Sequence, residues 1–241
     1  MDKSYTGSLN QEIQLYILPY AGGSVAAFKR LTDLLDEKIE VITVEYAGRG
    51  TRIKEPLAEN ICEMYEDVVD YCKKRRIVEK PFAILGYSMG SILAYEMIAR
   101  KSIPGQLKHF FVAAEVSPRY RSAALQRIRT VSDEIILKRV KKLGGMDESL
   151  INDKRFTDIY LRPMISDCRN FFGYRYADNK EVIQTNASVF YCQQDTPLSE
   201  VKKWSELING TFDYYELGHN HFFINDHYKE MASIINRTLC R

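Results

Sequence analysis

The chain has 241 residues, of which 45% are hydrophobic and 27% charged, the balance of a soluble globular protein long enough for one α/β domain with an insertion. Its formal net charge of +2 is too small to argue for nucleic-acid binding, and no stretch approaches the ~18 consecutive apolar residues of a membrane span. Five cysteines, at 62, 72, 168, 192 and 240, form no C-x-x-C pair and no metal-type cluster with histidine, which points to reduced thiols, no metal and a cytoplasmic protein.

The N-terminal MDKSYTGSLNQEIQ is polar and lacks an apolar signal core. Ile13 to Pro19 reads as an apolar strand, followed by a Gly22-Gly23 turn and a helix that Ser24 is placed to cap, running to about Leu35. Ile39 to Tyr46 is a second strand, rich in β-branched residues and ending at Gly48-Arg49-Gly50. Residues 60 to 76 read as an amphipathic helix whose basic end, Lys73-Lys74-Arg75-Arg76, suits the helix dipole. Pro81 to Leu85 is a short apolar strand, Ser91 to Arg100 a helix, and His109 to Val116 the next strand. Repeated β-α-β units imply a mostly parallel central sheet covered by helices on both faces.

The alternation breaks between about 120 and 185, which reads as several helices interrupted at Leu143-Gly144-Gly145. A helical insertion between strands is expected to form a lid. Alternation resumes with a strand from Ala187 to Gln193, a helix near 199 to 208, a strand from Thr211 to Leu217 and a final helix from about His227 to Leu239. The whole of 1–241 is expected to form a single α/β domain carrying that lid.

Between the third strand and its helix lies Gly86-Tyr87-Ser88-Met89-Gly90, a G-x-S-x-G pentapeptide. Strand, sharp turn at a serine, helix is the context of a nucleophile elbow, with glycines where side chains would clash. A serine hydroxyl is a poor nucleophile without a base in hydrogen-bond reach and a third group to orient that base. Of the four histidines, His109 falls at the wrong end of a parallel strand and His227 near a helix start. His219 and His221 lie in the loop after the last strand, where the base belongs; His221 is favoured and His219 is the alternative. The acid is expected after a late strand. Asp195, just past Ser188 to Cys192 and before Thr196-Pro197, is the first choice and Glu200 the second. An oxyanion hole needs two backbone amides, one from Met89 and one from the loop Tyr20-Ala21-Gly22-Gly23.

Five segments in order resemble type II thioesterases, the partners of nonribosomal peptide and polyketide synthases. Leu18-Pro19-Tyr20-Ala21-Gly22-Gly23-Ser24 is similar to their L-P-[FY]-A-G-G-[SA] opening, and Glu45 to Arg52 to their E-x-P-G-R-G-x-R segment. The elbow is similar to their G-H-S-M-G. Val131-Ser132-Asp133-Glu134 with Leu143-Gly144-Gly145 resembles their lid pattern, and Gly218 to Phe223 their G-G-H-F-F ending. Tyr87 stands where histidine is common, Ala47 where proline is usual, and Gln193-Gln194 in place of a glycine-containing turn. The resemblance, spanning about residues 13 to 225, implies an α/β-hydrolase fold with a helical lid, no cofactor, and hydrolysis of aberrant acyl groups from the phosphopantetheine arm of acyl or peptidyl carrier domains. It implies Ser88 as nucleophile, Asp195 as acid, His221 as base, and Ala21 and Met89 as oxyanion amides. Lys138, Arg139, Lys141 and Lys142 in the lid are either the contact for an acidic carrier or an exposed helical face. A carboxylesterase with the same triad and a non-catalytic carrier-binding protein are the rivals. A monomer without membrane contact is expected.

Overall fold

The computed structural model describes residues 12–75, 80–126, 132–144, 154–178 and 181–240. Six strands form one sheet in the order β2-β1-β3-β4-β6-β8: β1 Ile13–Leu18, β2 Ile39–Thr43, β3 Phe82–Tyr87, β4 Leu107–Ala113, β6 Asn186–Tyr191 and β8 Phe212–Glu216. Every adjacent pair is parallel. Two short strands, β5 Ile183–Gln184 and β7 Ile208–Asn209, pair separately. β1 and β3 are buried along their whole length, which is why both read as near-continuous apolar runs rather than as alternating ones. The edge strand β8 instead has only half-buried and exposed residues.

Helices cover both faces. α1 Val25–Thr32 and α9 Ile224–Leu239 pack Phe28, Leu31, Met231 and Ile235 against one side. α2 Ile61–Lys74 and α3 Met89–Ala99 pack Met64, Val68, Leu93 and Met97 against the other. α2 begins at Asn60, whose side chain accepts from the amides of Cys62 and Glu63, satisfying two of the donors a helix start leaves open. α3 is apolar on nearly every side and buried accordingly. The architecture is the α/β-hydrolase fold that the motif resemblance implies.

The segment expected to form a lid contains α4 Pro118–Leu125, α5 Asp133–Lys142, α6 Lys154–Phe156 and α7 Arg162–Phe172, with a π-helical turn, Thr157–Leu161, joining the last two. Val131, Gly145 and Arg76 lie outside the described residues. Two expectations need correction. The helix near 199 to 208 is a short α8, Leu198–Val201, followed by a 3-10 turn, Lys202–Glu206, and then β7. The buried Trp204, whose indole nitrogen donates to the Glu115 carbonyl at 3.0 Å, tightens the chain there. The last helix starts at Ile224, with His227 at a kink inside it.

The topology places the site. The chain moves outward from β1 to β2, then crosses back to β3 on the other side of β1. Strand order therefore reverses at β1, and ligands of open parallel sheets bind beyond the carboxyl ends of strands at such a reversal.

Candidate active site

Ser88 stands at the carboxyl end of β3 with φ 51° and ψ −120°, a left-handed conformation that costs a non-glycine residue about 1–3 kcal/mol. The neighbours over-determine it. The Ser88 amide donates to the Ala113 carbonyl at 2.7 Å, and the Ser91 hydroxyl donates to the Gly86 carbonyl at 2.7 Å. A Cβ on Gly86 would lie 2.3 Å from the Ser91 Cα, and one on Gly90 would lie 2.0 Å from the Leu18 carbonyl oxygen. Both glycines are thus required by backbone crowding between β3, α3 and β1.

His221 reaches Ser88 from the loop after β8. Its Nε2 lies 3.0 Å from the Ser88 Oγ, and its Nδ1 lies 2.6 Å from an Asp195 oxygen. A carboxylate only accepts, so Nδ1 carries the proton, and Nε2 is left as acceptor for the serine hydroxyl. Asp195 follows β6 in a turn in which the amides of Asp195 and Thr196 both donate to the Cys192 carbonyl. The loop of His221 is fixed from beneath by Tyr87, whose hydroxyl donates to the His221 carbonyl at 2.7 Å. Burial holds that phenol well above its ordinary range.

The other histidines lie elsewhere. His219 is exposed, His227 pairs with Glu230, and the buried His109 contacts the Ser188 hydroxyl at 2.9 Å. Glu200 lines the same cavity and accepts from the Tyr120 hydroxyl at 3.2 Å, whereas the carboxylate at the His221 Nδ1 is that of Asp195. Of the two oxyanion candidates, the Met89 amide opens α3, where no carbonyl within the helix can accept it. Ala21 lies in the loop after β1, beside Ser88 on the wall of the same cavity.

That cavity has a volume of ≈ 360 Å³ and is lined by Ser88, Ala21 and His221 on the sheet side and by Leu125, Val140 and Phe171 on the helical side. A wider cleft of ≈ 780 Å³ shares Asp195 and His221 with it and opens toward Lys138, Lys142 and His219. Cys168 also lines the first cavity, and burial pushes its thiol up to about 12, so it is no rival nucleophile. Two ion pairs escaped sequence reasoning. Arg121 donates to the buried Glu115 at 2.7 Å on the cavity wall. Arg49 pairs with Asp167 of α7. Arg49 belongs to a quoted motif, but no pattern names its partner 118 residues away. Among the described residues, no group of three or more His, Cys, Asp or Glu could hold a metal, and no helix is long and apolar enough to cross a membrane.

Comparison with known proteins places the chain in a family. A family model described as "Thioesterase domain" matches residues 13–239. Thioesterase PikA5 of Streptomyces venezuelae is 26% identical over 94% of this chain and 81% of its own length. Gramicidin S biosynthesis protein GrsT of Aneurinibacillus migulanus is 26% identical over 95% of this chain and 89% of its own. A solved structure of "the type II thioesterase BorB from the borrelidin biosynthetic cluster" superposes with a TM-score of 0.74 at 27% identity, covering 94% of this chain and 92% of that one.

Proposed function

The chain belongs to the thioesterase family, and from that premise we propose that it hydrolyses acyl groups, aberrant or stalled, from the phosphopantetheine arm of synthase carrier domains through an acyl-serine intermediate on Ser88. One observation carries the chemistry: the unbroken relay from Ser88 Oγ through His221 to Asp195, at 3.0 and 2.6 Å. His221 takes the Ser88 proton as the oxygen attacks the thioester carbonyl. The Ala21 and Met89 amides stabilise the oxyanion. The tetrahedral intermediate collapses, the C–S bond breaks, and the pantetheine sulfur leaves, protonated by His221. His221 then activates a water that releases the free acid and restores Ser88. Asp195 holds the imidazole tautomer and stabilises the imidazolium.

The substrate rests on other ground. Relatives of similar length are named for gramicidin S and borrelidin biosynthesis, and the motif set resembles the type II branch of the family. The cavity supports an acyl substrate, since Leu125, Ile136, Val140, Leu143, Met164 and Phe171 make its helical side mostly apolar, with Arg121 and Arg139 the charged exceptions. No step needs a cofactor beyond the arm that the carrier brings.

The test is the intact mass of an acetyl-loaded carrier protein followed over time with the enzyme and with its Ser88→Ala variant. Loss of the acetyl group with phosphopantetheine retained, and no loss with the variant, is expected. Full turnover by Ser88→Ala would overturn the acyl-serine scheme. A stable acetyl-carrier alongside rapid hydrolysis of small oxygen esters would move the substrate to that of a carboxylesterase.

A further inference from the structure

The loop after β1 and the first residue of α1 are held by side chains at four points, and none of these side chains belongs to the triad. The Tyr46 hydroxyl donates to the Pro19 carbonyl at 2.8 Å. Glu45 accepts from the Val25 amide at 3.1 Å. Arg49 donates to the Gly23 carbonyl at 3.3 Å. Asp167 accepts from the Gly22 amide at 2.8 Å. Three of these come from the Glu45-Tyr46-Ala47-Gly48-Arg49 segment, a motif to which the triad gives no role. The fourth comes from α7, in the helical insertion.

Asp167 is the centre of this frame. Its side chain is 1% exposed and that of Arg49 3%, and the two meet end-on, Nη1 and Nη2 each donating to one carboxylate oxygen at 2.5 and 2.7 Å. The same Asp167 oxygen that takes the 2.5 Å bond also accepts the Gly22 amide. One turn earlier on α7, Met164 fills the space a side chain at Gly22 would need: a Cβ there would lie 2.6 Å from the Met164 Cβ. Gly22 has φ +80°, so the turn accepts glycine and is gripped from the α7 side through both its amide and its bare Cα. A buried ion pair is weak evidence for stability, because apolar residues of similar volume often hold a core as well. Its placement on a loop amide adjoining an oxyanion amide points to orientation instead.

We propose that Asp167, held by Arg49, is a positioning residue for the oxyanion loop: it fixes the Gly22 peptide so that the adjoining Ala21 amide faces the carbonyl bound at Ser88. The proposal rests on the reading of Ser88 and Ala21 given above. It makes α7 part of the catalytic frame rather than only a wall of the acyl cavity. The part that matters is the acceptor oxygen, and the charge serves to neutralise the buried Arg49 guanidinium.

Two double variants separate these roles, assayed for hydrolysis of a small acyl thioester with thermal melts alongside. Arg49→Gln with Asp167→Asn keeps an acceptor for Gly22. Arg49→Met with Asp167→Leu keeps a packed core without one. The expected pattern is a kcat within about threefold of the parent for the first and a loss of roughly 10- to 100-fold for the second at unchanged KM, a fraction of the loss from deleting an oxyanion donor. A kcat that tracks Tm in both variants, or parental kcat in the apolar pair, overturns the proposal. Should the apolar pair not fold, Asp167→Ala assayed below its own Tm takes its place: a tenfold loss in kcat at unchanged KM is expected, and parental kcat overturns. Ser88→Ala runs beside them. Activity surviving in Ser88→Ala means the active-site reading has failed; Ser88→Ala inactive with the expected pattern missing means that only the positioning role has.

Discussion

Tyr87 occupies the variable position of the elbow, yet it is the residue that ties the elbow to the His221 loop. Its hydroxyl donates to the His221 carbonyl and accepts from the Ile224 amide, at 2.7 and 3.4 Å. Tyr87→Phe removes the bridge and leaves a buried carbonyl unpaired, which costs about 1–3 kcal/mol. The expected outcome is a lower Tm together with a several-fold lower kcat, read from melts and initial rates; unchanged kcat would mean that the loop holds His221 without help. His109 makes a prediction of a different kind. Burial lowers its pKa to about 4 from 6.5, against a smaller opposing effect of Asp213. The unfolded chain therefore binds a proton in the window between those values where the folded chain does not. Stability from this group is complete above pH 6.5 and is lost as pH falls toward 4. His109→Gln should show a smaller fall in Tm between pH 7.5 and 5 than the parent, and equal falls would refute the assignment. Since His109 lies at the amino end of β4, its substitution should leave the pH profile of kcat unmoved.

At the scale of elements, the connection from β3 to α3 admits no side chain beyond those it has. Gly90→Ala places a methyl 2.0 Å from the backbone of Leu18, and relief would require α3 to lift away or the central strand β1 to leave its place in the sheet. That substitution is expected to abolish soluble folded enzyme or, if the chain folds, its activity; a folded, fully active Gly90→Ala would show that the elbow can relax. The same local crowding explains why this element was legible in the sequence: strand, turn and helix follow each other within about twenty residues, and the glycines mark the turn. Asp195 and His221 were legible for a topological reason. In a parallel sheet the carboxyl ends of successive strands share one edge, so residues just after β6 and β8 converge on Ser88 despite their separation along the chain. The Arg49–Asp167 pair had no such signal, because the sequence of 120–185 reads only as several helices and does not say what any one of them lies against. The region after Pro197 misled in the opposite way. Its helical propensity is real, but burial of Trp204 and the pairing of β7 with β5 override it after one turn of α8.

Across the whole molecule, 34 basic and 32 acidic side chains nearly cancel, so net charge alone draws no acidic partner, and electrostatic docking depends on where local clusters lie. At physiological salt such attraction decays over about 8 Å. The basic side chains of α5 invite two explanations. The helix dipole accounts for a sequence with Asp133 and Glu134 in the first turn and Arg139, Lys141 and Lys142 in the last. It does not account for the rotation of the helix, which sets Lys138 and Lys142 at the cleft that also contains Asp195 and His221. The opposite face of α5 buries Ile136 and Val140, so burial of that apolar face is what turns the lysines toward the entrance of the site. A carrier domain whose acidic helix met them there would bring its arm to Ser88 through the wider cleft, with the acyl chain passing on into the apolar cavity. The double substitution Lys138→Glu/Lys142→Glu should then lower kcat/KM for acyl-carrier by roughly tenfold at low ionic strength, and less as salt rises, as expected for charges at the rim of an interface. Hydrolysis of a small acyl thioester, which needs no docking, should be unchanged. Equal losses on both substrates would trace the effect to the site itself, and no loss on either would leave the lysines as the solvated end of a helix.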